Sequence, residues 1–66
     1  MKITCNGETK VIPPNTTLVS LIMELDLNPD TVVAECDGTI IKRDEYETLV
    51  LQEGTVLELI RFVGGG

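Results

Sequence analysis

The chain opens with an alternation, Ile3 and Cys5 against Lys2 and Thr4, which is the two-residue period of a half-buried strand over residues 1–5. Asn6-Gly7 follows at once and predicts a tight type I′ turn, because both central positions of that turn need positive φ. A second strand is predicted over about 8–12, ended by Pro13-Pro14, which removes two successive amide donors. Asn15, Thr16 and Thr17 then offer N-cap side chains, and Leu18, Leu21, Ile22 and Leu25 recur at helical spacing on one face. Asn28-Pro29 closes the helical region, since a residue before proline is pushed out of the helical basin. Residues 32–36 read as a third strand with Val32, Ala34 and Cys36 inward, and Asp37-Gly38 turns the chain into a short strand over 39–41. Residues 43–49 are acidic, with only Tyr46 and Leu49 as candidates for burial, and predict a helical turn or an irregular connection. Glu53-Gly54 turns the chain into a last strand over 55–62.

Strand, strand, helix, strand, short strand, strand is the order of a β-grasp, an α+β fold in which one main helix packs on one face of a mixed sheet. The folded domain is predicted over residues 1–63, with a flexible glycine tail at 64–66. In the last strand Leu57 and Leu59 are expected to face the helix, while Val56, Ile60 and Phe62 face the uncovered side. That apolar patch, continued by Val63, is a candidate partner interface formed around Ile60, Phe62 and Val63. The alternative is that the 43–49 segment folds over this face and shields it.

A length of 66 residues permits one domain and leaves no room for a separate catalytic one. Eleven acidic residues against five basic ones give a formal charge of −6, which argues against a nucleic-acid partner, because phosphate binding needs clustered Lys and Arg. A basic protein surface suits the charge better, unless the charge serves solubility alone. Cys5 and Cys36 are the only cysteines and the chain has no histidine, too few ligands for a four-ligand zinc site or an iron–sulfur cluster. Both cysteines are expected to be small buried hydrophobes on core-facing positions, a disulfide between them being the alternative. No signal-like segment and no apolar run of about 20 residues is present, so a cytoplasmic protein without membrane contact is expected.

No internal active site can be assembled from this sequence. It lacks a histidine for proton transfer, a nucleophile in a motif with a base, and a phosphate-binding glycine loop. Neighbouring carboxylates such as Asp44, Glu45 and Glu47 read as a solvated rim. The chain is therefore expected to be no enzyme, with no catalytic residue, no metal and no bound cofactor of its own. Gly7, Gly38 and Gly54 are accounted for by turns, whereas Gly64, Gly65 and Gly66 follow the last strand with no predicted element after them. A glycine end is ordinarily a frayed one. Here it leaves a strand ending in Ile60, Phe62 and Val63, and three extended glycines reach about 10 Å, enough to enter a narrow channel in another protein. An α-carboxylate at Gly66, with a pKa of about 3.5, is ionised at pH 7 and a poor electrophile. Activation by an ATP-consuming partner would supply an acyl-adenylate, from which a sulfur nucleophile displaces AMP to leave a thiocarboxylate.

Along nearly its whole length the sequence resembles the ThiS family of ubiquitin-like sulfur carriers in thiamine biosynthesis. The resemblance is carried by Ile3 to Gly7 (ITCNG), Thr17-Leu18 with Leu21-Ile22, Glu35 to Gly38, Arg43 with Tyr46, and above all Arg61 to Gly66 (RFVGGG). It implies that Gly66 is adenylated by a ThiF-type adenylyltransferase, converted to a thiocarboxylate with sulfur from a donor protein, and used by a ThiG-type thiazole synthase. Cys5 and Cys36 match no motif of that family. Three other readings stand beside it: a molybdopterin-type sulfur carrier, a ubiquitin-like protein modifier joined to lysines through Gly66, and a plain interaction module whose tail is incidental.

Overall fold

A computed structural model describes residues 1–62 of the chain. Its strands are β1 (Lys2–Cys5), β2 (Glu8–Val11), β3 (Val32–Cys36), β4 (Thr39–Ile41) and β5 (Val56–Arg61), and its helix is α1 (Leu18–Glu24). They form one sheet in the order β2-β1-β5-β3-β4, with β5 central. β5 runs parallel to β1 and antiparallel to β3, and the outer pairs are antiparallel hairpins. The mixed sheet with α1 as its crossover is the β-grasp predicted from the element order. Val63 and the tail assigned to 64–66 lie outside the described residues.

Both hairpin turns take the predicted form. Asn6 and Gly7 have φ of 51° and 82°, and Asp37 and Gly38 have 50° and 86°. Of the three candidate caps, Thr17 is the one used: its hydroxyl accepts from the Ser20 amide, and the Ser20 hydroxyl accepts from the Thr17 amide. The helix ends earlier than Asn28-Pro29 suggests. Asp26 adopts φ 65°, the Leu27 amide returns to the Ile22 carbonyl and the Asp26 amide to that of Met23. That double bond closes the helix in the Schellman manner, with an aspartate where glycine is usual. Leu25 is consequently the C-cap, half-buried and packed against the core. Asn28 instead caps a 3-10 turn over Pro29–Thr31.

Leu18, Leu21 and Ile22 of α1 are wholly buried against Ile3, Val32, Ala34, Leu57 and Leu59 of the sheet. The 43–49 segment lies on the helix side of the sheet and does not shield the open face. A 3-10 turn over Arg43–Glu45 leads to Tyr46, which is buried. The carbonyls of Leu49 and Tyr46 accept from the amides of Leu18 and Val19, two donors at the helix start that have no partner within the helix. Leu51, absent from the sequence-based core, is also buried, as the chain returns past Thr16.

Cys5 is buried as expected, but Cys36 is only half-buried, because it borders an open cavity of about 120 Å³ with Leu49, Leu51 and Thr55. Both thiols are free. They stand opposite Leu57 on its two flanking strands. Two strand spacings separate their Cα atoms by about 9–10 Å, beyond the roughly 7 Å that a disulfide can bridge. The alternative of a Cys5–Cys36 disulfide is therefore excluded by sheet order.

Candidate functional site

The residues that fix β5, the strand before the C-terminal glycines in sequence, begin in the two hairpin turns. The parallel ladder between β1 and β5 covers only Thr4 and Cys5 against Val56 and Leu57, so the Leu59 amide would lack a partner on that side. The Asn6 side chain supplies one, its Oδ1 accepting from the Leu59 amide at 2.8 Å, while the Asn6 backbone amide donates to the Leu57 carbonyl at 2.9 Å. At the other end Asp37 accepts from the Val56 amide through Oδ1 at 2.8 Å and donates its own amide to the Val56 carbonyl. Asn and Asp tolerate the left-handed conformation because their short polar side chains bond locally. The sequence assigned these two residues a turn role only. Their side-chain oxygens, which glycine would lack, were the available signal that they also fix β5.

Along β3 the pairing continues to the edge of the described chain. Arg61 stands opposite Val32, and the Phe62 amide donates to the Thr31 carbonyl at 3.1 Å. Phe62 is thus the last described residue and is held in the ladder, with Val63, Gly64, Gly65 and Gly66 outside the description.

The face of β5 away from α1 carries Val56, Glu58 and Ile60, with Phe62 following, as the alternation predicts. Ile60 is 58% exposed and Phe62 48%. The register adds residues that no local pattern could place beside them. Ile60 lies opposite Val33, and Glu58 opposite Glu35, which is in turn flanked by Ile40 of β4. Ile40 is 66% exposed. The open face therefore presents apolar side chains around two carboxylates set directly across from each other, an arrangement that repels in isolation.

Elsewhere the ionisable groups offer little reactivity. Burial is the main cause that pushes both thiols above their ordinary range, with the carboxylates of Glu58 and Glu8 adding to it at Cys5, Lys10 opposing it there, and Asp37 adding to it at Cys36. Both therefore remain protonated, weak nucleophiles at neutral pH. Among the described residues no group of three or more His, Cys, Asp or Glu is placed to hold a metal ion. No described helix is long and apolar enough to cross a membrane.

Comparison with known proteins matches residues 2–66 to the family model "ThiS family". A thiazole synthase of Magnetococcus marinus is 39% identical over all 66 residues, and one of Paramagnetospirillum magneticum is 30% identical over the same span. The chain covers 20% of the length of each, so it spans about one fifth of the curated relatives it matches. Among solved structures, the crystal structure of a thiamine biosynthesis protein (ThiS) from Geobacter metallireducens superposes with a TM-score of 0.84, covering 100% of both chains at 23% identity. A solution structure of a thiamine biosynthesis protein from the same organism gives 0.78, covering 100% of this chain and 88% of the other at 23% identity. At that identity the two structures establish a common fold, and the whole-length match to the family model establishes more: this chain belongs to the ThiS family.

Proposed function

We propose that the chain is a sulfur carrier of thiamine biosynthesis, with the Gly66 α-carboxylate as the group that is loaded and unloaded. That carboxylate attacks the α-phosphate of ATP in the site of a ThiF-type adenylyltransferase, pyrophosphate leaves, and a persulfide sulfur on a donor protein displaces AMP to give an acyl disulfide, which a thiol reductant then cleaves to release the donor. The resulting thiocarboxylate gives its sulfur to a thiazole synthase for the thiazole ring. ATP belongs to the partner, and this chain supplies the docking face and the arm. Thiazole synthase as the acceptor is supported by the name of the curated relatives that the whole chain matches.

One observation carries the reading. β5 is bonded on the β1 side as far as Leu59 and on the β3 side as far as Phe62, and the residues that follow it are Val63 and three glycines. A rigid root followed by side-chain-free backbone suits delivery of a carboxylate into a narrow site, since glycine lets the backbone approach closely. The exposed apolar side chains of Ile60 and Phe62, continued in sequence by Val63, suit docking beside that root. The Glu35 and Glu58 pair among them favours a partner that brings an Arg or Lys side chain to this face.

The test is the intact mass of the purified chain before and after incubation with the cognate adenylyltransferase, ATP and a sulfur donor. The starting mass must correspond to a chain ending in a free Gly66 carboxyl, and the product mass must rise by the difference between sulfur and oxygen. Deleting Gly65 and Gly66 is expected to abolish that shift with thermal stability unchanged. A deletion variant that still supports thiazole formation would refute the carrier reading. Higher-mass conjugates with a glycine remnant on lysine would point to a protein modifier instead.

A further inference from the structure

We infer that Arg43 is a positioning residue for the C-terminal arm, holding in place the root from which it leaves; its functional consequence, though not its structural one, rests on the carrier reading above. The last described ladder bond runs from the Phe62 amide to the Thr31 carbonyl. Thr31 ends the 3-10 turn Pro29–Thr31, whose inner side is held by Asn28: its Oδ1 accepts from the Asp30 amide at 2.9 Å and its carbonyl from the Thr31 amide at 3.0 Å. The outer side is held by Arg43, whose Nε donates to Asp30 Oδ1 at 2.9 Å. Arg43 is itself fixed, with Nη1 donating to both carboxylate oxygens of Glu47 at 3.0 and 3.2 Å and the guanidinium lying 5.1 Å from the centre of the Tyr46 ring.

Tyr46 provides a second route to the same place. Its hydroxyl donates to the Val32 carbonyl at 2.7 Å and accepts from the Ala34 amide at 3.2 Å, on β3 directly opposite the end of β5. Residues 43–47 thus reach the last two described positions twice, through Asp30 and Thr31 to Phe62, and through Val32 to Arg61. Exposed ion pairs contribute little to global stability, so the Arg43–Asp30 contact, at side chains 43% and 74% exposed, is poorly explained as a device for stability. It does tie a local turn to a buried side chain. Only a planar fork can bond two carboxylates and stack on a ring at once, which is why lysine is not equivalent here. A root that frays must be ordered again when a partner grips the arm, and that ordering weakens binding without altering the chemical step.

The experiment uses the full chain and two readouts, amide hydrogen exchange by NMR and steady-state activation by the adenylyltransferase. Arg43→Gln and Asp30→Asn are each expected to speed exchange at Phe62 by about fivefold, the upper scale for an exposed ion pair. Exchange at Leu57 and the thermal midpoint should stay unchanged. The double variant should be no worse than either single one, because both remove the same contact. KM for activation should rise by up to that same factor of about five, because the binding penalty cannot exceed the free energy of the contact removed, with kcat unaffected. Arg43→Lys should recover part of both effects. Unchanged exchange at Phe62, or exchange that quickens equally at Leu57, overturns the inference, and faster exchange with an unaltered KM overturns its functional half. A wild-type chain that is not activated at all refutes the carrier reading instead, and the exchange comparison still decides the role of Arg43.

Discussion

β5 carries apolar side chains on both faces, and the two faces have opposite fates. Leu57 and Leu59 are buried beneath α1, whereas Ile60 and Phe62, of the same chemistry and a few residues away, are about half exposed. Burial of the first pair removes apolar surface from water and so drives folding. Exposure of the second pair leaves that gain unused within the chain and available to a partner. One strand thus joins a stability face to the face proposed for recognition. The strand's position at the centre of the sheet ties both to Phe62, after which the sequence continues with Val63 and three glycines.

Substitutions on the two faces should separate these roles. The largest effect is expected at Leu57→Ala, which deletes a wholly buried side chain from the middle of the core. Chemical denaturation should show a loss of about 2–5 kcal/mol, a large share of what a chain of this size has. A loss under about 0.5 kcal/mol would mean that β5 does not anchor the core. Next in size, the double variant Ile60→Thr and Phe62→Thr places β-branched residues at two exposed positions and should change stability by no more than about 0.5 kcal/mol per site. It should nevertheless raise KM for activation at least tenfold, the scale of one interface hot spot. Equal KM values for variant and wild type would remove this face from the docking surface.

The smallest effect concerns the 43–47 segment, which braces the end of β3 from the helix side of the sheet. The hydrogen bonds from Arg43 are the first cause that holds the Glu47 carboxyl below its ordinary range, and they likewise raise the Arg43 guanidinium. A depressed carboxyl pKa means that the contact is in place at neutral pH and is lost as pH falls through the lowered value, beneath the usual glutamate range. An NMR titration of the Glu47 carboxyl should show that low midpoint, and Arg43→Gln should return it upward. A midpoint indifferent to Arg43 would show that the pair is not formed in solution.

Much of this molecule was legible residue by residue. Period-two alternation located the strands, Asn6-Gly7 and Asp37-Gly38 located the hairpins, and the spacing of Leu18, Leu21 and Ile22 located the helix. Each of these signals is local, acting over a handful of residues. The helix end was less legible, because Asp26 takes a conformation usually marked by glycine. Cys36 passed for a core residue because alternation reports which face a side chain is on, and says nothing of the cavity beside it. The candidate site divides in the same way. Ile60 and Phe62 were visible as outward positions on one strand, whereas Val33, Glu35 and Ile40 joined them only through register.

The sequence by itself determined the elements, their order and the glycine ending, since dihedral preference and side-chain periodicity are properties of short stretches of chain. Tertiary structure alone decided that Asn6 and Asp37 pin β5, that Tyr46 and Arg43 brace its far end, and that Cys5 and Cys36 stand too far apart to join. Those facts depend on strand order and register, which bring together residues up to 53 positions apart. No local preference encodes such a meeting, because it is the packing of the whole sheet against one helix that selects it.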